Sequence, residues 1–164
     1  MPEGSVMAQA NDFEDGRFRA FLDSQFGSSS EYGLERIAGG QSNPTYFVTH
    51  GDQRLVLRKQ PNGPLLKGAH AIDREYRVLA ALHPAGVPVP RAVLYCETPE
   101  IIGTPFYLME RVNGRVFSDS ALPQVEPGER HALWMGLADA LGQMHRVRPD
   151  DVGLGDYGRP GSYF

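Results

Sequence analysis

The feature that most narrows what this chain can fold into is a carboxylate where a helix should be apolar. Over residues 69–83, AHAIDREYRVLAALH, apolar side chains recur at helical spacing, with Ile72, Leu79 and Leu82 as the stripe and Tyr76 and Val78 at its flanks. Glu75 falls inside that stripe. An ionised carboxylate turned toward a core is costly unless it is paired, because packing does not repay its lost hydration. The helix therefore has to meet a cation on whatever it packs against. Upstream, LVLRK ends an apolar run on Arg58 and Lys59, and Pro61, Asn62 and Gly63 stop the run. Side chains alternate between the faces of a strand, so Val56 and Arg58 share one face and Leu55, Leu57 and Lys59 the other. Only one cation can face Glu75. Arg58 and Lys59 both stay open as that cation at this point, and the one on the other face is expected to be solvated. The other reading of Glu75, a surface carboxylate between Arg74 and Arg77, stays open on spacing alone.

The remaining pattern supplies a sheet for that helix. Phe18, Phe21, Leu22 and Phe26 predict a short amphipathic helix over 18–26, after a small and polar N-terminus read as disordered to about residue 12. YGLERIAGGQSNPTYFVTHGDQRLVLRK predicts two or three antiparallel strands, with a Gly-rich turn at Gly39 and Gly40 and a tight turn between His50 and Gln53. After the Glu75 helix, AGVPVPRAVLYCE leads through a Pro-rich connection into another strand, and IGTPFYLMERVNG gives a further one, ended by Asn113 and Gly114. Leu133, Leu137, Leu141 and Met144 mark one face of a longer helix over 128–146. Strands interrupted by one helix predict an antiparallel sheet with that helix on one face, an α+β arrangement.

Composition removes several function classes. The 16 Lys and Arg against 20 Asp and Glu give a net charge of -4 with scattered cations, which argues against nucleic acid and anionic membrane as partners. Cys96 is the single cysteine, which rules out a disulfide framework and a thiolate metal cluster and fits a reducing cytoplasm. No run of the chain has the length and apolarity of a bilayer span, and the N-terminus lacks the basic-then-apolar order of an export signal.

Three segments point to chemistry. Gly39, Gly40, Gln41, Ser42 and Asn43 form a small, polar loop whose backbone N–H groups and Ser42 hydroxyl could approach phosphate oxygens, although a hairpin turn needs the same glycines. The cation at the strand end, Arg58 or Lys59, together with Glu75 is the second. In FYLMERVNG, Phe106, Leu108 and Met109 could form an apolar wall beside backbone groups able to hydrogen-bond a heterocycle, or simply be core.

Taken in order, GGQSNPTYFV, LVLRK, AIDREYRVLAAL, VPVPRAVLYC, IGTPFYLMERVNGRVF and ALGQMHRV resemble the N-terminal half of the aminoglycoside phosphotransferase-like family. The wording is similar above all to the branch related to the kinase-like domain fused to some acyl-CoA dehydrogenases, from about residue 32 to the end. The resemblance implies a protein-kinase-like N-lobe over 13–112, with an antiparallel sheet of about five strands and a packed helix. A linker and the first helix of an incomplete C-lobe would follow over 113–164. It implies ATP as donor with Mg2+, and a small hydroxylated acceptor. Gly40, Gln41 and Ser42 then fall in the nucleotide-positioning loop, Arg58 at the strand cation, Glu75 at its helix partner, Met109 at the gatekeeper, and Glu110 and Val112 at the adenine-contacting linker, so that Lys59 is the cation turned the other way and expected in water.

The family's catalytic Asp and metal ligands are expected after residue 164, so no residue here is assigned to catalysis or to a metal. His50, Gly51 and Asp52 spell the catalytic triplet but sit in a hairpin turn. Asp156, Tyr157 and Gly158 imitate the metal motif without a catalytic loop before them. Read this way, the chain is the nucleotide-binding portion of a small-molecule phosphotransferase and is inactive alone. Its rival is a non-catalytic module that binds a nucleotide or a protein. The uncovered helix face at Leu133, Leu137, Leu141 and Met144 is expected to drive self-association.

Overall fold

This computed structural model describes residues 12–37, 43–64, 70–117 and 119–158. The elements run α1 (Asp15–Phe26), β1 (Tyr32–Arg36), β2 (Thr45–His50), β3 (Gln53–Lys59), α2 (Ile72–Leu82), β4 (Ala92–Cys96), β5 (Phe106–Glu110), α3 (Pro127–Arg146) and a 3-10 turn at Pro149–Val152. The five strands form one antiparallel sheet in the order β1-β2-β3-β5-β4. The chain divides into two compact units. One holds the residues up to Tyr76 together with Ala92–Arg111, and the other Arg77–Arg91 together with the chain from Val112 onward.

In the first unit the β2–β3 connection is the tight turn that the sequence predicts, with Gly51 at φ 53, a conformation that glycine adopts without strain. His50, Gly51 and Asp52 are therefore hairpin residues. The His50 ring is buried and its Nε2 lies 2.9 Å from Asp23 Oδ1 on α1.

Opposed residues of antiparallel strands share a face. The pairings Tyr46 with Leu57, Val48 with Leu55 and Leu57 with Leu108 thus collect these side chains on one side of the sheet. They pack there on Phe18 and Leu22 of α1, with Phe21 and Phe26 partly buried against the same cluster. Phe18 and Phe21 both meet Phe106 edge-on, at 5.8 and 5.5 Å between ring centroids. Each such buried Leu or Phe contributes roughly 1.5–3 kcal/mol.

This second covered face corrects the expectation for Lys59. The face it points to is covered by Asp12 and Phe13, which lead into α1, and by Asn62, and is not open to water. Lys59 is fully buried, with Nζ 2.9 Å from Asp12 Oδ2 and 3.0 Å from Asn62 Oδ1, and lies 5.9 Å from the centroid of the Phe13 ring. Asp12, at the edge of the stretch expected to be unstructured, accepts from Tyr46 as well and returns its carbonyl to Asn62 Nδ2 at 3.0 Å. Burial pushes the Asp12 carboxyl up, but the Tyr46 hydrogen bond and then the Lys59 bond and charge outweigh it and hold the group below the usual carboxylate range. The Tyr46 phenol, buried and donating to that carboxylate, is pushed up to about 12. Pro61, Asn62 and Gly63 thus do more than end β3: Asn62 closes over the lysine that ends it.

In the second unit α3 buries none of its residues, and Trp134, Met135, Leu137, Leu141 and Met144 are all exposed. Asp156 pairs with Arg77, which also donates to the Gly153 carbonyl at 2.6 Å. The triplet at 156–158 thus has its carboxylate occupied by a guanidinium. No described helix is long and apolar enough to cross a membrane.

Candidate functional site

Opposite the α1 side, the sheet carries Val56 and Arg58 of β3. Phe47 of β2 pairs with Val56 and Thr45 with Arg58, while on β5 Met109 pairs with Val56 and Tyr107 with Arg58. The alternation along LVLRK therefore places Arg58 where the sequence assigned it. The β5 segment is corrected in one respect. Phe106 and Leu108 belong to the α1 core, and only Met109, with Tyr107, is turned to the Arg58 face, so these three do not form one apolar wall. The strand also ends at Glu110, earlier than the Asn113 and Gly114 predicted, and Glu110 is exposed. Val112, in the second unit, is 63% exposed. Gly40, Gln41 and Ser42, the predicted nucleotide loop, lie outside the described residues.

Glu75, in the first turn of α2, faces Arg58. Arg58 Nε lies 2.6 Å from Glu75 Oε2, and Nη2 donates to Oε1 at 3.5 Å. The short contact is one of charge: the buried Nε–H is not aligned on an acceptor. Both side chains keep partial access to water, at 29% and 36% exposure, so the pair is worth less than the roughly 3–5 kcal/mol lost on breaking a fully buried one.

Two further groups, unassigned by the sequence reading, complete the shell of the carboxylate. Tyr107 OH donates to Oε2 at 3.1 Å and Asn43 Nδ2 to Oε1 at 2.9 Å. Burial first, and then the Glu75 charge, push the Tyr107 phenol well above its ordinary value, so it stays a donor. Asn43 is almost completely buried, and its Oδ1 lies 2.8 Å from Nδ1 of His70. His70 precedes α2 with φ 57, an uncommon conformation for a residue with a side chain, and its carbonyl accepts from Gln60 Nε2 at 3.1 Å and from the Ile72 amide at 2.9 Å. Tyr76, one residue after Glu75, stacks on Tyr95 at 5.6 Å and leans on Tyr107 at 6.0 Å. Farther along the same face, the Arg111 guanidinium sits 3.8 Å over the Phe47 ring.

Asn43 could have been suspected only as the last residue of the Gly-rich loop. Tyr107 had no signal, because its place beside Glu75 depends on the pairing of β5 with β3. Chemically, the cluster is a guanidinium fixed by a carboxylate that is itself held from three sides. Such a cation, partly open to water, is suited to an oxyanion such as a phosphate.

A five-stranded antiparallel sheet with a helix-borne carboxylate locked to a strand cation defines an α+β domain of the kinase-like phosphotransferase type. The chain belongs to the phosphotransferase enzyme family, which it matches over residues 33–164. A crystal structure of a "putative aminoglycoside phosphotransferase" from Ralstonia eutropha superposes with a TM-score of 0.76 and 38% identity, over 93% of this chain and 44% of that one. Among curated proteins the chain is 48% identical over 130 residues to acyl-CoA dehydrogenase family member 11 of Gallus gallus, covering 79% of this chain and 17% of that protein. It is 40% identical over 156 residues to the Homo sapiens protein of the same name, covering 92% of this chain and 20% of that protein. The chain thus spans about a fifth of the length of these curated relatives.

Proposed function

We propose that this chain is the nucleotide-binding portion of an ATP-dependent phosphotransferase that acts on a hydroxyl of a small molecule. The observation that carries the proposal is the Arg58–Glu75 pair, 2.6 Å apart on the sheet face that also bears Val56 and Met109. In phosphoryl transfer of the kinase type a strand cation held by a helix Glu engages the nucleotide phosphates, and this cluster has the same parts. The fit is also electrostatic. The Arg58 side chain is 29% exposed, which leaves part of its guanidinium open to an anion. In this reading Arg58 binds and orients phosphate, Glu75 holds Arg58, Met109 borders the base, and Gly40, Gln41, Ser42, Glu110 and Val112 line the nucleotide. ATP would supply the phosphoryl group.

The described residues contain no group of three or more His, Cys, Asp or Glu able to hold a metal ion, so we derive no step through Mg2+. Its ligands and the catalytic base are proposed to come from outside the described residues. The acceptor is a small hydroxylated compound and the setting the cytoplasm, with neither nucleic acid nor membrane as partner.

The test is titration of the 15N-labelled chain with ATP, alone and with Mg2+, followed by NMR. The expected result is shifts centred on Val56, Arg58, Glu75 and Met109 that disappear in Arg58→Ala. Shifts mapping elsewhere, or none at millimolar ATP, would overturn the proposal.

A further inference from the structure

We propose that Asn43, oriented by His70, is a positioning residue that fixes the Glu75 carboxylate and through it the Arg58 guanidinium. The inference deepens the nucleotide-binding reading and rests on it for its functional meaning. Its first support is the direction of the hydrogen bonds. An ionised carboxylate only accepts, so the Asn43 group 2.9 Å from Glu75 Oε1 must be its amide N–H, which turns Oδ1 toward His70. Oδ1 also only accepts. The His70 ring, 2.8 Å away, must therefore carry its proton on Nδ1. The chain of donation runs from His70 to Asn43 to Glu75, and each member has one orientation that satisfies it.

The second support is the occupancy of the carboxylate. Oε1 takes Asn43 Nδ2 and Arg58 Nη2, while Oε2 takes Tyr107 OH and lies against Arg58 Nε. Removing Arg58 from this set leaves two neutral donors, one on each oxygen, which hold the carboxylate plane in place before the cation arrives. A guanidinium then meets a pre-set acceptor and loses less freedom on pairing. The third support is burial and backbone. Asn43 has only 3% of its surface exposed, so no water can take over its bond to Glu75 without rearrangement. His70 keeps its left-handed conformation, φ 57, through the ring bond to Asn43 and the two bonds to its carbonyl. Such a conformation persists only where the surroundings over-determine it.

The experiment is a double-mutant cycle on ATP affinity in the 164-residue chain, read by calorimetry. Asn43→Ala and Asn43→Leu are each expected to weaken ATP about tenfold. Leu nearly preserves the volume with neither an N–H nor a new charge, so a space-filling role would be rescued by it and a donor role would not. In a Glu75→Ala background the same substitutions should cost nothing further, because Asn43 acts through Glu75. A full tenfold effect in that background, or rescue by Leu, would overturn the proposal. His70→Ala, which leaves Asn43 in place, should give a smaller loss of the same kind and serves if the Asn43 variants do not fold. If wild-type chain binds no ATP, the nucleotide reading fails, and the positioning role is then decided by the 15N resonance of the Arg58 side chain. Faster exchange of its Nε–H in Asn43→Leu than in wild type supports the role, and an unchanged rate overturns it.

Discussion

Replacing Lys59 by Ala should destabilise this protein more than replacing any of its exposed arginines, although Lys59 looks from the sequence like a surface residue. The side chain is 0% exposed and its Nζ has two anchors, Asp12 Oδ2 at 2.9 Å and Asn62 Oδ1 at 3.0 Å. Removing one partner of a fully buried pair costs about 3–5 kcal/mol. Asp12 is 24% exposed and retains its bond from Tyr46, so its carboxylate regains some hydration and the low end, about 3 kcal/mol, applies. For a chain of this size that lowers the midpoint of thermal unfolding by about 6–12 °C. Lys59→Met, which keeps the apolar stem over Phe13 and removes the charge, should cost about 2 kcal/mol. The internal control is Arg54→Ala, where both partners are about half exposed, at 48% and 57%, and the loss should stay below about 1 kcal/mol. Differential scanning calorimetry and urea unfolding give the comparison. If Lys59→Ala melts within about 2 °C of wild type, or no lower than Arg54→Ala, the reasoning about the buried cation is wrong.

Arg58→Ala should weaken ATP at least tenfold, about 1.4 kcal/mol, while lowering stability less than Lys59→Ala does, and calorimetric titration beside thermal unfolding separates the two effects. The Asp12 carboxyl is held below its unfolded value, so its stabilisation is fully present above about pH 4 and is lost as pH falls through the lower, folded value. Asp12→Asn should therefore flatten the acid limb of a stability-against-pH curve. The Tyr107 phenol, pushed up by burial and by Glu75, should still be protonated at a pH where exposed tyrosines have ionised, and the phenolate absorbance difference between wild type and Tyr107→Phe measures this. The exposed apolar side chains of α3 should make the chain associate as concentration rises, and Leu137→Glu with Leu141→Glu should suppress this in sedimentation experiments across a dilution series.

Local rules of side-chain direction carried much of this protein by themselves. Alternation along LVLRK separates Arg58 from Lys59 whatever the strand pairs with, and a carboxylate within a helical apolar stripe demands a cation whatever the helix packs on. These two facts left one strand cation to meet Glu75, the family resemblance chose Arg58, and the turn at Gly51 and the succession of elements along the chain followed from local signals. What lies behind each face of the sheet is not local. Nothing near Lys59 in the chain says that the segment leading into α1 closes over it, since its partner Asp12 is 47 residues away. Tyr107 reaches Glu75 only because β5 inserts next to β3, with Tyr107 opposite Arg58, and Asn43 reaches it because the chain enters β2 beside the start of α2. Periodicity tells which way a side chain points. What it meets there is decided by strand order and by which helix covers the face, since those contacts join residues that share no segment of sequence.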